Sequence, residues 1–270
     1  MKQELTVFLQ KLNAINETLT YNVKLPSSNA EVTFKFLNTE QFNRILGTVA
    51  ISDKTGESFN EVMVTVLEEN ILDKTISVKD LSILDYTKIV LETRKTCLTD
   101  NFNLLFTEFE IEEQQLSRAY ANVSLSEHLQ KHEDVVAVTD INVVSGELKA
   151  TVSMPSIRVH TEFDSVVKNN KDENTSVTIK NFFIKEVAKY VTDLYLDELA
   201  VSLIDVPARE RIEVINSLPA TLVNEIVKNI ELMKQPLNRL LSVAVTSKTI
   251  NNESVSFMKE LPLNSVLFNF

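Results

Sequence analysis

The chain has 270 residues, of which 44% are hydrophobic and 24% charged, and its formal charge is −11. That profile suits a folded protein that buries one large core or two smaller ones, and its net field repels polyanions, so nucleic acid is not an expected partner. No apolar run reaches the roughly eighteen residues of a membrane span, and Met1 to Ala14 is broken by Lys2, Glu4, Gln10 and Lys11, which predicts neither a spanning nor a secretory segment.

Leu5, Phe8, Leu9, Leu12 and Ile15 recur at helical spacing and predict a short helix with one apolar stripe, to be buried on its own core or on a partner. Tyr21, Val23 and Leu25, then the turn Pro26-Ser27-Ser28-Asn29, then Val32, Phe34 and Phe36 read as a β-hairpin. Asn38 or Thr39 suits the cap of a helix carrying Phe42, Ile45, Leu46 and Val49. A further helix is expected around Phe59, Val62, Met63, Val66 and Leu67, with Glu57 and Glu61 toward its amino end. Another is expected from Val78 to Thr96, burying Leu81, Leu84, Val90 and Leu91 and ending on Arg94 and Lys95.

Phe102 to Ile111 predicts a strand, and Glu112 to Lys131 has helical character around Leu116, Tyr120, Val123 and Leu129. Val135 to Val144 and Glu147 to Met154, flanking Ser145-Gly146, predict a second hairpin ended by Pro155. The polar stretch Lys168 to Ser176 reads as a mobile loop or linker. Helices are expected again from Ile179, with Phe183, Val187, Tyr190, Val191 and Leu194 in register and a new start at Asp205 and Pro207. Ser217 is the expected cap of a helix with Pro219 in its first turn and Leu222, Ile226, Ile230 and Met233 on one side. Leu240 to Phe270 reads as mainly β, turning at Asn251-Asn252.

Little in the chain suggests covalent chemistry. The three glycines, Gly47, Gly56 and Gly146, stand far apart, so neither a phosphate-cradling loop nor a dinucleotide fingerprint can be written, and no Gly-x-Ser-x-Gly elbow occurs. One cysteine, Cys97, excludes an intrachain disulfide and an all-cysteine metal cage and leans toward a reducing compartment. It reads as a buried or bystander thiol, because no nucleophile signature surrounds it. His128 and His132 lie four apart and would share a helix face, with Glu127 or Glu133 to complete a metal site, but Leu129 stands where a zincin has its glutamate. Solvated side chains are the plainer reading. The same holds for the acidic pairs Glu68-Glu69, Glu112-Glu113, Glu133-Asp134 and Asp197-Glu198, because adjacent carboxylates point in different directions. No catalytic, cofactor or metal residue is therefore expected.

Tyr21-Asn22-Val23-Lys24-Leu25-Pro26-Ser27, followed by Val32, Phe34 and the helix from Gln41, resembles the baseplate hub and hub-assembly proteins of T-even-like myophages. The resemblance continues at Leu81-Ser82-Ile83-Leu84-Asp85-Tyr86 and Leu91-Glu92-Thr93-Arg94-Lys95. It extends more loosely to Arg211, Val214, Ile215, Leu218-Pro219 and Ile226, and ends at Leu267-Phe268-Asn269-Phe270. Phe102 to Thr178 has no counterpart in it. The chain departs from the family in its cysteines, since Cys97 stands alone where relatives carry pairs suggestive of metal knuckles, and Val243 to Val255 has none.

The expected fold is α+β: a helical amino-terminal region with a β-hairpin (1–100), a β-rich middle (101–178) and a helical carboxyl-terminal region ending in a hairpin (179–270). The resemblance implies a non-enzymatic component or helper of a contractile tail's baseplate hub, in the virion or in the host cytoplasm during assembly. Its partners would be other tail and baseplate proteins, and no cofactor is implied. The candidate contact residues are Phe8, Leu9, Pro26, Phe268 and Phe270, each of which can alternatively serve the intramolecular core. A chaperone or adaptor module is the rival reading, and a metal-dependent hydrolase using His128 and His132 a more remote one.

Overall fold

A computed structural model describes residues 2–55, 59–109, 116–168, 175–248 and 254–268 of the chain. The architecture is α+β, with four antiparallel sheets among the described residues. It divides into two compact units that interleave along the chain and so differ from the three continuous regions read from the sequence. The first comprises Met1–Ile76, Thr87–Val135 and Asn238–Phe270, and the second Ser77–Tyr86 and Val136–Leu237.

The first unit begins with α1 (Lys2–Thr18) and the hairpin β1 (Thr20–Lys24) and β2 (Glu31–Lys35). Alternation buries Val23, Val32 and Phe34, and Asn29 takes a φ of 59°, a left-handed value that asparagine tolerates in turns. In α2 (Thr39–Thr55) the cap is Asn38: its Oδ1 accepts from the Gln41 amide at 2.9 Å while Gln41 Oε1 accepts from the Asn38 amide at 3.1 Å. This reciprocal box satisfies two donors that the helix itself leaves free. Next comes α3 (Phe59–Asn70), which buries Val62, Met63, Val66 and Leu67; Glu57 lies outside the described residues.

The expected helix from Val78 is interrupted. A single 3-10 turn, Val78–Asp80, precedes α4 (Ile83–Cys97), because the backbone around Leu81 and Ser82 pairs with the segment after Pro155. Ile83 N donates to Pro155 O at 3.0 Å and Ile157 N to Leu81 O at 2.9 Å. Ser82 then caps α4, accepting from the Asp85 amide and donating to its carboxylate.

The first unit continues with β3 (Asn101–Phe109) and β4 (Leu116–Ser124), paired over nine residues each, and α5 (Leu125–Lys131). The helical reading of Glu112 to Lys131 thus holds only for its last turns. Leu116, Tyr120 and Val123 mimic a helical period, but pairing with β3 decides the conformation. Residues 110–115 lie outside the described part.

The second unit is built on the sheet β5 (Ile141–Ser145), β6 (Leu148–Val152), β7 (Val191–Leu196) and β8 (Leu199–Ser202), in that order. The hairpin of β5 and β6 turns at Gly146, whose φ of 65° suits the first position of a tight hairpin turn. Val135 to Asp140, expected in its first strand, stays outside it. Two helices, α6 (Ile157–Lys168) and α7 (Thr175–Tyr190), follow; residues 169–174 of the expected linker are outside the described part, while Lys168, Thr175 and Ser176 are helical.

Val191 and Leu194, read as continuing α7, instead begin β7 directly after Tyr190. Each fits a helix stripe as well as a strand face, and the free edge of β6 selects the strand. The helices α8 (Ala208–Asn216) and α9 (Ala220–Leu241) close the unit, and two of the four unit boundaries fall within α4 and α9. Ser217 terminates α8, its Oγ donating to Glu213 O at 2.9 Å, and does not cap α9, which starts after Pro219. Leu222, Ile226, Ile230 and Met233 are buried together with Val143, Ala150, Val152, Phe163 and Leu194, as their spacing requires.

In the first unit β9 (Ser242–Lys248) and β10 (Ser254–Glu260) form the expected late hairpin, its turn at 249–253 lying outside the described residues. A final 3-10 turn, Ser265–Phe268, packs on α2. Among the described residues, no helix is long and apolar enough to cross a membrane.

Candidate interaction surfaces

The five candidate contact residues do not form one surface. Phe8 is 62% exposed, in a row with exposed Leu5, Leu12 and Ile15 along α1. Leu9 is in the same helix, and nothing is described of its side chain. Pro26 is buried in the β1–β2 turn, where Leu25 N donates to Ala30 O at 2.8 Å, so it shapes the loop instead of offering a contact. Phe268 is 0% exposed, its ring 5.9 Å from that of Phe59. The expectation of an exposed aromatic end fails there because the final turn folds back into the first unit's core. Phe270 lies outside the described residues.

What anchors that turn is Arg94, expected at the end of α4 as a partner of the helix dipole. Its guanidinium is buried, donating from Nε to Leu267 O at 2.6 Å, from Nη1 to Thr99 O at 2.5 Å and from Nη2 to Asn101 O at 3.3 Å. Carbonyl groups, not a carboxylate, face the charge, and burial pulls its pKa down from the ordinary value. The five-donor fork lets one side chain tie the stretch after α4 to the final turn.

The second unit has its own buried arginine. Arg211 donates from Nη2 to Val191 O at 2.8 Å and lies 5.4 Å from the centre of the Phe163 ring, while its Nε has no hydrogen-bond partner. It thereby holds α8 to the start of β7, at the point where α7 gives way to strand.

The histidines do come together, with ring centres 4.8 Å apart and edge to face. His128 is buried, and its Nε2 donates to Leu240 O at 2.7 Å, which fixes the tautomer because a carbonyl only accepts. Burial, outweighing that bond, holds the His128 pKa below the usual histidine value. Burial also lowers the pKa of His132, helped by the neighbouring His128, Arg239 and Lys131. The His128 ring thus ties α5 to the end of α9, while His132 Nδ1 is buried without a hydrogen-bond partner. Among the described residues no three His, Cys, Asp or Glu side chains gather as metal ligands. Glu133 does not join the pair, and Asp134 bonds Arg239 at 3.0 Å.

Cys97 is half-buried and accepts from the Leu37 amide at 3.4 Å. Burial pushes its thiol up to about 11, so little thiolate exists at neutral pH. The acidic pairs are equally accounted for. Glu69 meets Arg44 at 2.8 Å and Gln41 at 3.0 Å, and these bonds outweigh burial in lowering its pKa. Asp197 and Glu198 form a hairpin tip, and Glu112 and Glu113 lie outside the described residues.

A second apolar surface went unread in the sequence, because its strands were taken as helix. Leu199, Val201 and Ile204 are exposed on and just after β8, the edge strand of the second unit's sheet. The signal was present as the alternation of Leu199 and Val201 with Ala200 and Ser202 behind an Asp-Glu turn. No family model matches the chain, and comparison with curated proteins and with solved structures likewise finds no match.

Proposed function

We propose that this chain is a non-enzymatic structural or assembly component of a contractile-tailed phage's baseplate hub, acting through protein-protein contacts in the virion or in the host cytoplasm during assembly. The carrying observation is α1: Leu5, Phe8, Leu12 and Ile15 alternate three and four apart and are all exposed, which is the spacing of a seam that another helix or groove covers. An exposed stripe of this kind is unfavourable in water until a partner buries it. The side chains with chemical potential have structural roles instead, with His128 bonded to a carbonyl and Cys97 held as a thiol. The resemblance across Tyr21 to Ser27 and Leu81 to Lys95 supplies the identity of the partners.

The test is affinity purification of the tagged chain from infected cells, followed by mass spectrometry of the associated proteins and of intact virions. Co-purification with tail and baseplate intermediates, lost in a Phe8→Asp/Leu12→Asp variant that still folds, is the expected result. Association with many unrelated host proteins would instead identify an adaptor or chaperone and sink the baseplate reading.

A further inference from the structure

The inner face of the second unit's sheet does not stop where its core stops. Across the register Val143↔Ala150↔Leu194↔Val201, the first three side chains are buried, whereas Val201 is 51% exposed. In the next row, Leu148↔Leu196↔Leu199, Leu199 is 69% exposed. The core-facing surface thus runs out onto exposed side chains of β8.

The backbone of β8 is open on the same side of the sheet. Among the described residues β7 is its one neighbour. Leu196 and Leu199 flank the two-residue turn Asp197-Glu198, with Asp197 at a φ of 51°, and such a closing pair exchanges both hydrogen bonds. Alternation then makes Leu194↔Val201 the next bonded pair, and the 2.7 Å bond from Leu203 N to Thr192 O fits this phase. Ala200 and Ser202 consequently direct their amide and carbonyl groups outward. Although short, at four residues, β8 has no lysine, proline or bulge of the kind that blunts natural edge strands.

Charge identifies what fits. The stretch 191–207 contains Asp193, Asp197, Glu198 and Asp205 and no lysine, arginine or histidine. Asp197 and Glu198 precede β8 and Asp205 follows it, so acids bracket the apolar strip along the strand. Lys149, opposite Tyr195, is on the other face of the sheet, and the next charges, Arg209 and Glu210, are of opposite sign. A second copy of this chain would bring the same acids against themselves.

We propose that the β8 edge is a docking site for an extended, positively charged segment of a partner protein, which joins the sheet as a fifth strand. Its alternate side chains are apolar and cover Leu199 and Val201, while lysine or arginine at its ends meets Asp197, Glu198 and Asp205. The proposal does not depend on the baseplate assignment, which rests on the α1 stripe.

The experiment uses the full chain and two dye-labelled peptides in fluorescence anisotropy, Lys-Lys-Val-Thr-Val-Thr-Val-Lys-Lys and its counterpart with glutamate for lysine. The expected result is binding of the lysine-flanked peptide with at least about tenfold preference, narrowing as salt rises. Ala200→Pro, which removes an outward donor without touching the β7 ladder, should weaken that binding about tenfold with an unchanged thermal melt. A Glu198→Lys/Asp205→Lys variant should reverse the preference, an outcome that misfolding cannot produce. Equal affinity for both peptides, no binding at about 1 mM, or a failure of the charge variant to alter the preference would overturn the proposal. So would self-association of the chain that Ala200→Pro abolishes, since the edge would then belong to a second copy.

Discussion

The two units each bury an arginine, and the way each is satisfied differs. Arg94 in the first unit spends its fork on the carbonyls of Thr99 and Asn101, just beyond its own helix, and of Leu267, far away in the chain. Arg211 in the second has one short bond, to Val191 O, a ring face from Phe163 and an unpartnered Nε. The first unit is assembled from three chain segments, and Arg94 ties two of them, Thr87–Val135 and Asn238–Phe270, where connectivity does not. In the second, Arg211 ties α8 to the start of β7 within one four-stranded sheet and its apolar core.

Removing the forks tests this contrast most severely. Arg94→Ala leaves buried carbonyls without donors and is expected to destabilise the protein by about 3–5 kcal/mol in urea unfolding, with Arg94→Lys recovering little because an ammonium cannot fork. Arg211→Met, which also removes an unsatisfied donor, should cost about 1–3 kcal/mol in the same measurement. Equal losses at the two positions would erase the distinction.

The histidines sharpen the picture of the first unit. Burial depresses the pKa of both His128 and His132 in the folded state, so the unfolded chain binds protons first as pH falls. Stability from this source is whole above the unfolded histidine value of about 6.5 and declines as pH drops through that value toward the folded ones. Urea midpoints taken between pH 7.5 and 5.5 should fall, and His128→Gln should flatten the slope; a midpoint that rises toward pH 5.5 would contradict the burial argument.

Cys97 gives a chemical measure of the same packing. With its thiol pushed from 9.0 to about 11, labelling by iodoacetamide at pH 8 should be about a hundredfold slower than for a free cysteine and recover in urea. The smallest effect belongs to α1: Phe8→Ser should change folding stability by less than about 0.5 kcal/mol, since its ring is exposed. A larger loss would show that the stripe is part of the unit's own core.

Much of the local structure was legible because it depends on neighbours in the chain. The hairpin around Pro26-Ser27-Ser28-Asn29, the box of Asn38 and Gln41, the buried side of α9 and the turn at Gly146 follow from alternation, helical period and turn chemistry. Of the candidate contacts, Phe8 is exposed as a partner-facing residue must be, while Pro26 and Phe268 entered the interior. Burial of an apolar residue depends on what folds over it, and spacing carries no record of that.

The amino-acid order by itself determined the periodicities, the charge balance and the scarcity of glycine, and with them an α+β chain. Tertiary structure alone decided that 116–124 is strand, that β7 follows α7 without a linker, that a helix breaks at Ser82, and that Arg94 and Arg211 lie inside. The reason is the range of the forces. Propensity and capping act over one or two turns, whereas ladder partners and buried carbonyls come from residues far away in the chain, and they override local preference wherever the two compete.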